Sequence, residues 1–278
     1  MINKKLTLSI VIPVFNEENY IADCLNSIAA QSELPDEVII VDNNSSDRSI
    51  EIAKEYSFVR VIREKRQHQS FGQKTGFDAA SGEIIGRIDA DSILPKDWTH
   101  QIKRQFALEP QTVAIVGSAW PYDVQLKKIS VAVFEFYNKS ASLVAGNRML
   151  WGANCALRKS AWRKISSQVL LRGDIWEDYD ISFLLSGHGD TSYRPDLKVE
   201  VSFRAVHKSF FTQFRYQFRS VRTFYLRKGL LKAIFYSLLW YTMILFYPLV
   251  LLDEFAARPI AETRSRRREI LESPALVD

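Results

Sequence analysis

From the first ten residues to about position 116, short β-branched runs alternate with segments whose apolar residues recur every three or four positions. This is the pattern of βαβ units feeding a mostly parallel sheet. LTLSIVIP at 6–13 predicts a buried first strand, and Ile21, Leu25 and Ile28 share one face of a helix predicted over 18–31. EVIIV at 37–41 predicts a second strand, Ser46 and Asp47 can cap a helix running through Ile50, Ile52 and Ala53, and 59–62 predicts a third strand. A helix near 74–80 stops at Gly82, and EIIGRI at 83–88 is the fourth strand. Farther along, the pattern predicts a helix over 96–108, a strand over 113–116 and an aromatic-rich helix over 127–145. A helix follows the acidic cluster at 176–180, and closing strands are predicted at 192–195 and 199–203.

Aspartates gather where these strands end. Asp42 follows EVIIV, and Asp89 and Asp91 follow EIIGRI. Open parallel sheets bind ligands in the crevice beyond the carboxyl ends of their strands, so the three converge on one expected site, although each alone has an ordinary reading as a turn or cap residue. Asp89-Ala90-Asp91 is a DxD arrangement whose two carboxylates fall on the same side of an extended chain. Such a pair suits a hard cation, Mn2+ or Mg2+, that completes its shell with water and substrate phosphates and neutralises a departing diphosphate. A second pair, Glu177 and Asp178, offers a carboxylate base for an acceptor hydroxyl. The competing reading is an acidic first helical turn favoured by the helix dipole.

These segments resemble, in order, the family 2 inverting glycosyltransferases of the GT-A fold. The resemblance rests on SIVIPVFNEENYIADCLNSIAAQ, EVIIVDNNSSDRS, GEIIGRIDADSILP, WGANCALRKSAW and GDIWEDYDISFLLSGHG, and covers about residues 6–207. It implies that Pro13, Asn16 and Glu17 lie near the nucleotide of a nucleotide-diphosphate sugar, and that Asp42 hydrogen-bonds its base, usually uracil or guanine. Asp89 would sit by the ribose and diphosphate and Asp91 would bind the metal directly, with His207 as a further metal or phosphate contact. Asp178 would be the general base with Glu177 shaping the acceptor side, and Trp151, Gly152 and Asn154 would border the sugar and acceptor pocket. Family members often carry Asn two residues before the glycine matching Gly76. Lys74 stands there instead and is expected to reach a phosphate, with Gln73 and Arg66 as weaker candidates.

Composition alters this picture mainly at the carboxyl end. The chain has 278 residues and a net charge of +5, yet residues 1–203 are near neutral, with 24 Lys/Arg against 26 Asp/Glu. Residues 204–252 hold eight Lys/Arg and no acid. This basic stretch abuts twenty uncharged residues, AIFYSLLWYTMILFYPLVLL at 233–252, about the length that spans a bilayer core. That neighbour favours an anionic lipid surface over nucleic acid. Phe210, Phe214, Phe218, Val221 and Tyr225 recur at helical spacing beside Arg215, Arg219 and Arg222, as in an interfacial amphipathic helix. Basic residues flank the apolar run on both sides, so a single span and a re-entrant or surface-lying segment both stand. Cys24 and Cys155 form no metal or disulfide pattern and fit a reducing compartment, and no secretion signal is expected from the pattern of the amino terminus.

The expected fold is therefore α/β, a GT-A type, mostly parallel nucleotide-binding sheet flanked by helices, with a C-terminal amphipathic and apolar helical membrane segment. Its expected parts are a transferase domain at 1–207, a basic interfacial helix at 208–230, an apolar membrane helix or re-entrant segment at 231–254 and a charged tail at 255–278. The expected activity is metal-dependent, inverting and non-processive transfer from a UDP- or GDP-linked sugar to a membrane-associated acceptor, such as a lipid-linked saccharide or polyprenyl phosphate. It would take place at the cytoplasmic face of the membrane, in the synthesis of cell-envelope or other polysaccharide glycans. Self-association through the aromatic helix near 134–137 or the apolar tail is a further expectation. The alternatives are a sugar nucleotidyltransferase, which would need a glycine-rich loop where Phe15-Asn16-Glu17-Glu18 stands, and an inactive membrane scaffold of the same fold.

Overall fold

The computed structural model describes residues 6–204 and 210–244. Seven strands form one sheet in the order β3-β2-β1-β4-β6-β5-β7: β1 Leu8–Val14, β2 Glu37–Asp42, β3 Val59–Arg63, β4 Ile84–Arg87, β5 Thr112–Pro121, β6 Cys155–Arg158 and β7 Asp190–Val201. All run parallel except β6, which is antiparallel to both β4 and β5. The carboxyl ends of six strands and the start of β6 therefore share one edge.

Alternation along the strands divides the interior into two cores, one on each face. Ile10, Ile12, Val38, Ile40 and Ile84 face one side, where α1 (Ile21–Ala29) and α4 (Trp98–Leu108) cover them with Leu25, Ile28, Trp98, Ile102 and Phe106. Val11, Ile39, Val41 and Ile85 face the other, under α3 (Gln69–Ala79), α6 (Lys159–Ile165) and α7 (Glu177–Leu185). The remaining helices are α2 (Ser49–Lys54), α5 (Lys127–Ala145) and α8 (Phe210–Ile244). Gly76 lets α3 lie directly on the sheet, since a Cβ there would come within 2.3 Å of Val11 and 2.8 Å of Val41.

Predicted and observed elements differ where a second force overrides the pattern. The helix predicted near 74–80 begins at Gln69, its first turn taken up by the His68 side chain accepting from the Ser70 N–H. The helix expected after the acidic cluster starts inside it, at Glu177. Asp47 does not cap α2 across its first turn; it accepts from Ser49 and from the Glu18 N–H, tying the loops after β1 and β2 together. The two closing strands are one, β7, with a bulge: Gly117 pairs with Arg194 and Ser118 with Lys198.

The carboxyl-terminal helix departs most. Within α8, Gly229 adopts φ 82°, ψ 175°, outside the helical region. Phe224 and Tyr236 then stack with ring centroids 4.0 Å apart and planes 12° from parallel. Twelve helical residues span about 18 Å, so the chain folds back at Gly229 into a helical hairpin. Its inner side packs Phe224, Ala233 and Tyr236 on Tyr137, Tyr179 and Phe183. Of the predicted apolar row, Phe218 and Tyr225 face outward, and among the described side chains before Gly229 the buried positions are Ser220, Thr223 and Phe224. Among the described residues no helix is long and apolar enough to cross a membrane. Residues 245–252 of the predicted apolar run, and the tail beyond them, lie outside the described residues.

Candidate active site

The topology delivers charged and polar side chains from four strands to one edge. Glu17 follows β1, Asp89 and Asp91 follow β4, Tyr122 follows β5 and Arg204 follows β7. The Tyr122 hydroxyl donates to the Asp91 carbonyl at 3.2 Å. Glu177 and Asp178 enter from the first turn of α7. The acids form the helical first turn that the dipole favours, and Arg87 links that turn to the DxD.

Arg87, the last residue of β4, joins the two carboxylate pairs. Its side chain is 1% exposed and lies 3.0 Å from Asp89, 3.7 Å from Asp178 and 4.0 Å from Glu177. Burial opposes its charge, but Asp178, Asp89 and Glu177 outweigh burial and raise its pKa. Asp178 is further fixed by the Gln73 amide, which donates to Oδ1 at 2.9 Å, and by the Gly152 N–H, which donates to Oδ2 at 2.9 Å. Gly152 is glycine for a steric reason: a Cβ there would sit 1.3 Å from Nη1 of Arg87 and 2.5 Å from Asp178 Oδ2. Gly152 thus provides the gap through which Arg87 reaches Asp178.

On the opposite flank, Arg204 donates to both Glu17 carboxylate oxygens at 2.6 Å, lies 3.1 Å from Asp91 Oδ2, and rests over the Tyr20 ring at 4.1 Å. Burial, then Asp89 and Glu17, push Asp91 up to about 7 against the pull of Arg204. Burial and the adjacent Asp178 push Glu177 up to about 8. These are crowded carboxylates in need of positive charge, the electrostatic condition of a cation site. Among the described residues, no three His, Cys, Asp or Glu side chains form a metal cage. A donor set of Asp89 and Asp91 fits a hard cation that takes the rest of its shell from water and a diphosphate.

Other predicted residues have mixed placements. Pro13 lies on β1 opposite Val41 of β2. Asn16 has φ 56° and accepts from the Ser46 N–H, which closes the loop beside Glu17. Asp42 ends β2, and its Oδ1 accepts from the Ser45 N–H, an arrangement compatible with a base-binding edge. The Lys74 ammonium pairs with Asp78 one turn along α3, because that partner is within reach on its own helix face, and Lys74 lines a cavity shared with Gln73 and Glu177. Arg66 likewise pairs with Glu64.

Asn154 does not border a pocket. It is fully buried; its amide donates to the Ser118 and Leu197 carbonyls at 2.9 and 2.8 Å, and its carbonyl accepts from the Trp98 indole. These are the backbone groups at the β5–β7 bulge, so Asn154 supplies hydrogen bonds that the interrupted ladder cannot. Trp151 packs edge-on against Phe134 at 4.8 Å, between the two cores. His207 lies outside the described residues. Arg87 and Arg204 were missed as site residues. The first had a signal, a lone charge within an apolar strand, two positions from Asp89 and therefore on its side of the chain.

A parallel α/β sheet with a DxD at its carboxyl edge and a carboxylate-bearing helix facing it defines the class as a nucleotide-binding transferase fold. The chain belongs to glycosyl transferase family 2, whose family model matches residues 9–166, more than half its length. It is 28% identical over 127 residues to glycosyltransferase GlyA of Streptococcus pneumoniae, covering 44% of this chain and 18% of that protein. It is 31% identical over 127 residues to an undecaprenyl-phosphate 4-deoxy-4-formamido-L-arabinose transferase of Pectobacterium carotovorum, covering 42% and 38%. The matches thus span less than half of either relative. Among solved structures, the mannosyltransferase PcManGT from Pyrobaculum calidifontis, in complex with GDP-Man and Mn2+, aligns with a TM-score of 0.60 at 17% identity over 97% of this chain and 82% of that one. S. aureus TarS 1–349 in complex with UDP-GlcNAc aligns with a TM-score of 0.55 at 16% identity, over 75% and 61%. Both share the fold.

Gly152→Ala is expected to push Arg87 off Asp178 and to lower turnover by about 100-fold, the scale of a misplacement near 1 Å, while the urea midpoint of unfolding falls modestly. Steady-state kinetics beside equilibrium unfolding checks this. Unchanged turnover would refute the positioning role. Nearby, the Arg66 hydrogen bond, aided by Thr75 and opposed by burial, holds Glu64 down at about 2 against an ordinary 4.5. Its folded pKa is depressed, so its contribution is present above pH 4.5 and lost as pH falls toward 2. Glu64→Gln should cost about 1–2 kcal/mol at pH 7, discounted for the exposed Arg66. In thermal melts across pH, the gap to wild type should close as pH falls from 4.5 toward 2.

Proposed function

We propose that the chain transfers a sugar, with inversion, from a UDP- or GDP-linked donor to an acceptor hydroxyl or phosphate presented at a membrane surface, as on a lipid-linked saccharide or polyprenyl phosphate. The observation that carries this reading is the Arg87 guanidinium, which holds the DxD carboxylate Asp89 and the candidate base Asp178 on one buried centre. When bound by Asp91 and Asp89, Mn2+ or Mg2+ would supply neutralisation of the charge developing on the leaving diphosphate. Asp42 meets the base, and Glu17 and Asn16 line the loop over the nucleotide. Asp178 takes the proton of an acceptor hydroxyl as its oxygen bonds to the anomeric carbon, and the bond from that carbon to the diphosphate breaks. Gln73 and Gly152 keep the Asp178 carboxylate oriented for this, and each of its oxygens retains a lone pair for the proton.

Two features favour a membrane-associated acceptor. One of the relatives is by name an undecaprenyl-phosphate transferase. The hairpin of α8 also exposes Leu230, Leu231, Ile234, Phe235 and Leu238 beside Lys228 and Lys232, the mix of apolar and basic residues that seats a helix in an anionic interface. This reading puts the protein on the cytoplasmic face, attached through its carboxyl-terminal segment and lying on the bilayer through the hairpin.

Titration calorimetry of UDP- and GDP-sugars with and without Mn2+ tests the donor reading. Asp91→Asn is expected to abolish metal-dependent binding, whereas Asp178→Asn keeps donor affinity within about threefold and loses transfer by at least about 1,000-fold. Equal loss of donor affinity in both variants contradicts the roles. For the surface, Leu231→Glu with Phe235→Glu should release the protein from phosphatidylglycerol vesicles in a sedimentation assay without altering its thermal melt. Retention on the vesicles would count against this seat.

A further inference from the structure

Arg204 stands where a cation belongs. Its guanidinium engages Asp91 Oδ2 at 3.1 Å, on the residue expected to bind the metal directly, and both oxygens of Glu17 at 2.6 Å. The side chain is held at three points: the two carboxylates and the face of Tyr20, 4.1 Å from its centroid. Its backbone is held as well. Ser202 Oγ accepts from the Arg204 N–H, and Asp123 accepts from the Phe203 N–H at 2.8 Å, which fixes the turn by which β7 reaches the edge. Unlike Arg87, this arginine is 36% exposed at the rim of the site and has room to move.

A guanidinium on Asp91 Oδ2 and a divalent cation on the same carboxylate repel each other at such separation. Entry of the metal therefore weakens the hold of Asp91 on the arginine. The group that can receive a displaced arginine is an anion arriving at the same edge, and a diphosphate offers bidentate oxygens suited to a guanidinium fork.

We propose that Arg204 is a resident countercation that occupies the cation position in the donor-free protein and transfers to the donor's diphosphate when the metal enters. The inference rests on the donor reading above and adds a mode of binding to it. Metal and nucleoside diphosphate bind as a pair, each raising the affinity for the other, because neither alone both frees Asp91 and rehouses the arginine. The device keeps the carboxylates neutralised between turnovers and keeps a bare cation from settling without substrate.

Electron paramagnetic resonance of free Mn2+ measures metal affinity directly, without any transfer reaction. In wild type, Mn2+ alone should bind weakly, and saturating UDP or GDP, whichever the protein accepts, should strengthen Mn2+ binding by about 100-fold, near the upper end of ordinary coupling. Arg204→Gln should bind Mn2+ alone at least about tenfold more tightly than wild type, with the nucleotide's effect reduced to about tenfold or less and nucleotide affinity lowered. Arg204→Lys, which keeps the charge, should retain most of the coupling, and a thermal melt of each variant reports folding. If Arg204→Gln does not fold, the lysine variant decides: coupling lost with the charge retained overturns the proposal. Mn2+ binding to folded Arg204→Gln no tighter than to wild type, or an undiminished nucleotide effect, overturns it while leaving the donor reading intact. Absence of any Mn2+-dependent nucleotide binding in wild type overturns both.

Discussion

Mutual repulsion among carboxylates at one edge of the sheet is the constraint on which the site depends. Glu17, Asp89, Asp91, Glu177 and Asp178 arrive there because parallel strands and a facing helix leave them no other place to end. Two unit charges 4 Å apart repel by about 4 kcal/mol at the effective dielectric of a protein rim, so the cluster persists only with positive charge inside it. Arg87 and Arg204 supply that charge from β4 and from the end of β7.

The two arginines differ in what their surroundings allow. Arg87 is sealed, with its guanidinium threaded through the space that the missing side chain of Gly152 leaves open. A charge buried in this way fixes distances between the groups it touches, and preorganisation of that kind avoids reorganisation when charge moves during a reaction. Arg204 rests on Tyr20 at the rim, where solvent and an incoming anion can compete for it. One edge therefore combines a sealed compensation beside Asp178 with a more exposed one beside Asp91.

How much of this was legible in the sequence follows from how locally each feature is determined. β1, β2 and β4 were readable because their apolar spacing and their burial coincide, whereas β3 and the helix Lys127–Ala145 were readable from composition and spacing although β3 is only half-buried and Ile129, Phe136 and Leu143 are exposed. The start of α3 was not: QSFGQKTGFDA has almost no apolar face, and the helix is held by glycine close packing and a histidine cap. Asn154 was placed at the pocket because the family resemblance implied it. Its partners, Ser118 and Leu197, are brought to it by a bulge that no local pattern announces. The aspartates of the site were legible through motif order, whereas their arginine partners were not, since Arg204 lay within a basic stretch that pointed to lipid. The fold-back of α8 depends on the backbone of one residue, Gly229, and on aromatic stacking between residues a dozen positions apart.

That fold-back bears on the site because the hairpin is fastened to the helix that carries Asp178, the proposed base. Thr223 accepts from the Trp176 N–H at 2.9 Å, and Arg227 reaches Asp180 at 2.5 Å, where Asp180 also accepts from the Leu170 N–H at 2.8 Å. Trp176 and Asp180 flank Asp178 by two residues on either side, and Asp180 is fully enclosed, so its pairing with Arg227 is little screened by solvent. Any surface that fixes the orientation of the hairpin consequently fixes the orientation of Asp178 within about one helical turn. On the proposed function, an acceptor head group emerging from that surface would meet Asp178 at a set height. The same fastening explains why the inner face of the hairpin is aromatic and closely stacked while its outer face is left apolar and uncovered among the described residues: the inner contacts transmit position, and the outer ones remain available for the bilayer proposed to set it.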